Sequence, residues 1–452
     1  MNPAAHLGWL GIARLGLVQS ALGAIVVLTT STMNRVMVVE LALPALLPGV
    51  LVALHHAVQL LRPRLGHGSD VGGRRTPWIV GGMTVLALGG VTAAIAIAWM
   101  EFNRPAGIAL AVVAFVAIGL GVGAAGTTLL VLLAKRVAPQ RRAAAATVVW
   151  VMMILGFIVT AGVAGQFLDP FSPARLVAVT AVVAVAAIAL TLLAVRGMEP
   201  PAAPVASEAG PRVARRPAFR QALGEVWSDP KSRRFTIFVF VSMLAYSAQD
   251  LILEPFAGIV FGLTPGESTR LSGVQNSGVL AGMLLVGVLC SIVGGPRLGS
   301  LRGWTVAGCI ASAAALFALA GSGFAGPGWP LRGSVFVLGL ANGAFAVAAI
   351  GSMMALAGAG TAGREGVRMG LWGAAQAIAF ALGGIVATGA VDLARHALDS
   401  PIAAYSIVFA AEGVLFIVAA QLAARVARVP ASESAPYVPA ARGGYAAPLQ
   451  RE

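Results

Sequence analysis

Twelve apolar stretches, each near the length that crosses a bilayer, recur along this chain and leave it almost no way to fold in water. A membrane-spanning helix needs about 20 predominantly apolar residues. Such stretches lie near 12–36, 43–61, 77–99, 107–134, 145–166, 176–195, 235–261, 271–294, 303–321, 332–358, 369–391 and 401–424. Of the 452 residues, 58% are hydrophobic and 11% charged, an apolar excess that a soluble domain does not need. Lipid offers no water to backbone N–H and C=O groups, so each stretch must close its hydrogen bonds on itself. The expectation is an all-α integral membrane protein of twelve transmembrane helices. Glycines four apart, such as Gly119/Gly123 and Gly278/Gly282, read as packing positions where helix backbones approach closely.

One interruption differs from the others. Residues 196–234 contain Glu199-Pro-Pro-Ala-Ala-Pro204, then Ser207-Glu208, Arg212, Arg215 and Arg216. This polar, proline-rich connector divides the chain into an N-terminal six-helix half, 1–195, and a C-terminal six-helix half, 235–425. Within it, Phe219, Leu223, Val226 and Trp227 have the spacing of a short amphipathic helix on the membrane surface. Residues 426–452, rich in Ala and Pro, read as a disordered cytoplasmic tail.

The net charge of +14 would suit nucleic acid, but its distribution argues for topology instead. With both termini placed inside, 25 of the 31 Lys and Arg residues fall in inside segments and only 6 outside. That bias sets both termini and the connector on the cytoplasmic side. No nucleic-acid partner is expected. The first apolar stretch runs on into Asn34-Arg35 with no small-residue cleavage site, so it reads as an uncleaved span. Cys290 and Cys309 both lie in apolar segments and read as small buried residues, with neither a disulfide framework nor zinc spacing.

Polar residues inside the spans carry the functional argument, because lipid tolerates them poorly. Asp250 and Glu254 are four apart and share a helix face; in a two-half transporter fold, where the first and seventh helices border one cavity, Arg35 of the first span would reach toward them. The group is either a latch between the halves or a ligand contact. Glu40 closes the first span beside Arg35. Glu412 stands alone in the last span and needs a partner or a proton. His55 and His56 lie in the second span with Gln59 one turn on, suited to metal ligation or to hydrogen bonding with a neighbouring helix. Gln275, Asn276, Asn342 and Gln376 read as interhelical hydrogen-bonding groups. The sequence carries no nucleophile with a positioned base and no phosphate-cradling loop, so no enzyme is expected.

The loop Gly66-His-Gly-Ser-Asp70-Val-Gly-Gly73-Arg74-Arg75 reads as a tight cytoplasmic turn. Its glycines permit the turn, Asp70 caps or pairs at a helix end, and Arg74 and Arg75 hold the loop inside. The segment 295–303 is a degraded counterpart in the second half, and Asn34-Arg35 with Glu40 is echoed by Gln249-Asp250 with Glu254-Pro255. Internal repeats of this kind are the mark of two-half transporters. The pattern Gly-x-x-x-Asp-x-x-Gly-Arg-Arg resembles the loop between the second and third spans of the major facilitator superfamily.

A narrower resemblance rests on three segments: Leu28-Thr-Thr-Ser-Thr-Met-Asn34-Arg35-Val-Met-Val-Val-Glu40-Leu, Ser247-Ala-Gln-Asp250-Leu-Ile-Leu-Glu254-Pro255-Phe, and Arg364-Glu-Gly-Val-Arg-Met-Gly-Leu-Trp-Gly-Ala-Ala-Gln376. These look like signature segments of the PucC or bacteriochlorophyll delivery family, a branch of the major facilitator superfamily. The resemblance covers the chain to about residue 425, and Gln-Asp-x-x-Leu-Glu-Pro is its most specific motif. It implies binding or delivery of bacteriochlorophyll, or a late precursor, as non-covalent cargo, and a role in light-harvesting assembly. Its implied partners are the bilayer, antenna polypeptides and pigment-synthesis enzymes, in the bacterial inner, intracytoplasmic photosynthetic membrane. His55 and His56 are then the candidate ligands of the chlorin magnesium. The first span starts near residue 12, a shorter lead than in the antenna-associated branches, which places the chain nearer the branch named for bacteriochlorophyll synthase. A proton-coupled solute or drug exporter, and a non-transporting scaffold for antenna and pigment-synthesis proteins, are the alternative classes.

Overall fold

The computed structural model describes residues 7–61, 74–138, 141–199, 224, 227–290, 300–358 and 365–425. Among the described residues, twelve helices run back and forth through the bundle. In the first half they are α1 Trp9–Glu40, α2 Leu46–Leu61, α3 Thr76–Met100, α4 Arg104–Arg136, α5 Arg142–Phe167 and α6 Pro173–Val195. In the second they are α7 Pro230–Phe261, α8 Pro265–Val288, α9 Leu301–Ala325, α10 Leu331–Gly358, α11 Glu365–Leu398 and α12 Pro401–Arg425. Eleven of these are long and apolar enough to cross a membrane, and α2 is a shorter apolar helix. The chain is a multi-pass membrane protein. Each half has its own apolar core, one including Ile12, Met83, Phe115 and Leu129, the other Phe235, Phe256, Phe345, Trp372 and Phe416.

Helix starts follow local chemistry. Asn103, Ser172, Asp229, Thr264 and Ser300 each accept a backbone N–H of the following first turn through their side chains, four of them with a proline at the first or second helical position. Two spans differ from the apolar runs for this reason. α2 starts at Leu46, three residues later than expected from 43, because Pro44 has no N–H to donate and restricts Leu43. α7 starts at Pro230, before the apolar run at 235, because Asp229 caps it and carries the charged Lys231, Arg233 and Arg234 into the helix.

Glycine sets the closest helix approaches. A Cβ on Gly278 or Gly282 of α8 would lie 2.2 and 2.1 Å from backbone oxygens of α10, with Gly339 and Gly343 facing back. Between the halves, α5 packs on α8 and α11 on α2. A Cβ on Gly266 would meet the Gly165 carbonyl at 2.3 Å, so neither position accepts a side chain without parting α5 from α8.

The bundle has two ends: a connector end, where α6 stops and α7 starts, and a far end, where α1 stops and α2 starts. At the connector end Arg14 donates to the carbonyls of Leu193 (3.3 Å) and Arg196 (2.5 Å), and Arg302 grips the Ala424 carbonyl. In each half an arginine thus satisfies the open C-terminal turn of the last helix. The start of α3 is capped from across its half: Glu199 accepts from the N–H of Arg75 (2.8 Å), the N–H of Thr76 (2.7 Å) and the Thr76 hydroxyl (2.8 Å). Gly66, Asp70 and Gly73, where the helix-end role was expected, lie outside the described residues, as do the amphipathic positions Phe219, Leu223 and Val226 and the tail 426–452. Arg74 is exposed and Arg75 buried.

Burial raises the Glu199 carboxyl, but the Thr76 and Arg75 N–H groups, the Thr76 hydroxyl and the Arg75 charge together bring it below its ordinary value of 4.5. A carboxyl lowered by folding contributes stability above its unfolded value, and that contribution is lost as pH falls through the folded value. Acidifying the detergent-solubilised protein below about pH 4.5 is therefore expected to weaken the α3–α6 contact. Glu199→Gln should be less stable at neutral pH and flatter through the acid range, read as melting temperature against pH.

Candidate functional site at the seam between the halves

The seam is built by two irregular helices. In α1, Thr29 and Thr30 both donate their hydroxyls to the Val26 carbonyl at 2.9 Å, at the point where the helix widens. Wide π-turns follow at Leu28–Thr32 and Val36–Glu40. They turn Ser31, Thr32, Asn34 and Arg35 inward, all buried. In α7, Pro255 sits inside the helix and cannot donate to the carbonyl four residues back, that of Leu251. Asn34 of α1 donates to that freed carbonyl at 2.6 Å.

One turn on, Glu254 is buried, and one of its carboxylate oxygens accepts hydrogen bonds from Ser31 of α1 and Ser272 of α8. The two serine oxygens lie 2.7 Å apart, so their two protons can serve only two of the three contacts in this triangle at once. Thr32 and Thr269 pair at 2.9 Å just beyond. Gln275, three residues after Ser272, donates to Asp250 at 3.4 Å. Asp250 and Glu254 therefore both look onto α8, at successive turns.

Arg35 does not bond either acid. It forms an ion pair with Glu40 and donates to the Leu263 carbonyl at 2.6 Å. The π-turn is the physical reason, since its wider winding brings the fifth residue along beneath the guanidinium. Arg35 acts on Glu254 only through its field. Its bond to Leu263, beyond the end of α7, nonetheless ties α1 to the other half.

Two aspartates that the sequence reading did not single out complete the closure. Asp169, just past α5, accepts from the Thr264 hydroxyl at 2.7 Å and the Gly266 N–H at 3.1 Å, capping α8. Asp392, near the end of α11, accepts from the N–H groups of Ala45 at 2.9 Å and Leu46 at 2.8 Å, capping α2. Each acid caps a helix of the opposite half, and each sits near the end of the fifth helix of its own half. The available signal was their matching place in the repeat, three or four residues after Gly165 and Gly389.

The remaining expected residues scatter. His55 is buried and bonds Gln59 at 2.9 Å within α2. The His56 ring lies 4.8 Å from that of His55 and 5.4 Å from Phe380 of α11. Asn342 accepts from Ser312 at 2.8 Å, joining α9 to α10. Among the described residues, Asn276 bonds within its own helix, donating to the Ser272 carbonyl. Gln376 is exposed on α11 rather than held between helices, because its position on the helix turns it away from the neighbours. Glu412 is buried in α12. Among the described residues, no group of three or more His, Cys, Asp or Glu gathers as a metal site.

Two six-helix halves with irregular first and seventh helices meeting at the far end define a major facilitator fold. The crystal structure of the nucleoside transporter NupG superposes with a TM-score of 0.66 at 14% identity, covering 92% of this chain and 98% of that one. The bacterial homologue of the lysosomal transporter Spinster, inward-facing and occupied, gives 0.66 at 14% identity over 93% and 98%. The profile of the family described as PUCC protein matches residues 32–430, and the chain belongs to that family. It is 53% identical to the "Bacteriochlorophyll synthase 44.5 kDa chain" of Rhodobacter capsulatus, over 94% of this chain and 98% of that protein. It is 31% identical to "Protein PucC" of the same species, over 90% of each.

The paired caps carry a prediction. Asp169→Ala and Asp392→Ala each remove a charged helix cap, worth about 0.5–2 kcal/mol. The double variant should make cysteines introduced at the far end, for example at Thr269, react faster with a water-soluble maleimide. The single variants should fall between it and the parent.

Proposed function

We propose that the protein binds bacteriochlorophyll or a late precursor and assists its delivery to light-harvesting polypeptides, acting as a carrier rather than an enzyme. The observation that carries this reading is the 53% identity, along almost the whole of both chains, with a protein named for bacteriochlorophyll synthase. The resemblance to PucC supports the same photosynthetic setting. The geometry supports a carrier, since the buried polar side chains of the seam serve to join helices. On the charge bias, the connector end faces the cytoplasm of an intracytoplasmic photosynthetic membrane.

His56 is the favoured magnesium ligand and His55 the second candidate. A neutral imidazole suits that role, and His56 is half-buried at the α2–α11 seam with the Phe380 ring beside it, an apolar face for a macrocycle. Protein purified in mild detergent from a pigment-producing host should carry chlorin absorption that co-elutes with it. His55→Phe combined with His56→Phe should remove that absorption while leaving the elution profile unchanged. Parent protein free of pigment from such a host would contradict the reading.

A further inference from the structure

We propose that Asp250, Glu412 and Gln249 form a proton-binding site inside the C-terminal half, one helical turn from the Glu254 seam. Neither carboxylate oxygen of Glu412 and neither amide atom of Gln249 has a hydrogen-bond partner, and both side chains are buried, at 3% and 0% exposure. Asp250 has only the 3.4 Å contact from Gln275.

Helix geometry brings the three groups together. Phe256 of α7 touches Tyr405 and Phe409 of α12 at ring distances of 5.6 and 5.0 Å. Gln249 lies seven residues before Phe256, hence on the same stripe of α7. Glu412 lies three residues after Phe409. The two helices run in opposite directions, so both steps lead toward the connector end and converge. Phe345 of α10 closes the site, 6.3 Å from Tyr246 and 5.6 Å from Phe416. Tyr246 is one turn before Asp250 and Phe416 one turn after Glu412, so a single aromatic bridge walls both acids.

Among the described residues, no cation acts on either acid. α12 packs on α7, α9 and α11. From α7, the charged group acting on Glu412 is Asp250, which also acts on Tyr246. α9 contributes the buried thiol of Cys309 to the same core. Asp392 and Arg395 of α11 act on Tyr405, two turns away toward the far end. Glu412 is buried and Asp250 half-buried, and two like-charged carboxylates beside aromatic walls oppose each other's ionisation. One proton held between them removes that opposition, and the Gln249 amide can donate to or accept from either acid. The site stands independently of the cargo. Because Asp250 and Glu254 share α7, its occupancy bears on the seam.

The test is labelling with dicyclohexylcarbodiimide, which modifies protonated carboxyls in apolar surroundings, followed by peptide mass spectrometry of the intact purified protein. The expected result is an adduct on Glu412 or Asp250 that falls about tenfold per pH unit above its midpoint. It should be absent from Asp250→Asn/Glu412→Gln, with Glu40 and Glu199 unlabelled. Should the double variant fail to elute as a monodisperse species, the adduct position and its pH dependence in the parent protein decide the matter. No adduct on either acid overturns the proposal. Labelling that is independent of pH but suppressed by sodium also overturns it, since that marks a metal-cation site.

Discussion

A proline inside a membrane helix strands a carbonyl that lipid will not satisfy, and in this protein the other half of the molecule satisfies it. Pro255 frees the Leu251 carbonyl, and Asn34 takes it up at 2.6 Å. The bond holds α1 against α7 at fixed register. With that register set, Ser31 and Ser272 fall on Glu254, Thr32 falls on Thr269, and Arg35 reaches the Leu263 carbonyl. The same wide turns that aim Asn34 inward also aim the other three residues. The seam is thus a consequence of two local irregularities, the π-turns of α1 and a missing N–H in α7, that fit each other.

Asp169 and Asp392 add a second, symmetric level of closure. Each negative side chain meets the positive end of a helix in the opposite half, where backbone N–H groups lack intrahelical partners. At the connector end the described polar contacts of Arg14, Arg302 and Glu199 instead tie helices within one half. The far end is therefore joined by hydrogen bonds across the halves, while these three contacts of the connector end lie within a half.

Much of the fold was readable in the sequence. Apolar length alone places the helices, because a spanning helix must be both long and apolar. The buried polar positions also stood out, since a Glu-Pro pair or an Asn-Arg pair in an apolar run has few innocuous explanations. Partners were less legible. Arg35 was expected to reach Asp250 and Glu254, but a π-turn pairs it with Glu40, and the hydrophobic pattern of a helix does not reveal how widely it winds. Asp169, Asp392 and Glu199 act at helix ends, where polar residues are ordinary, and their partners lie 97, 346 and 123 residues away. Gln376 shows the converse case: a polar residue in a span that is exposed.

The most direct measurement is a double-mutant cycle between Asn34→Leu and Pro255→Ala, read as unfolding free energy in mixed micelles. Pro255→Ala returns an N–H to the Leu251 carbonyl, so Asn34 loses its special acceptor. The account predicts that Asn34→Leu costs about 0.5–1.5 kcal/mol more in the parent than in the Pro255→Ala background. Effects that add to within about 0.3–0.5 kcal/mol would contradict it, and would mean that the two helices are held together by something other than the carbonyl the proline sets free.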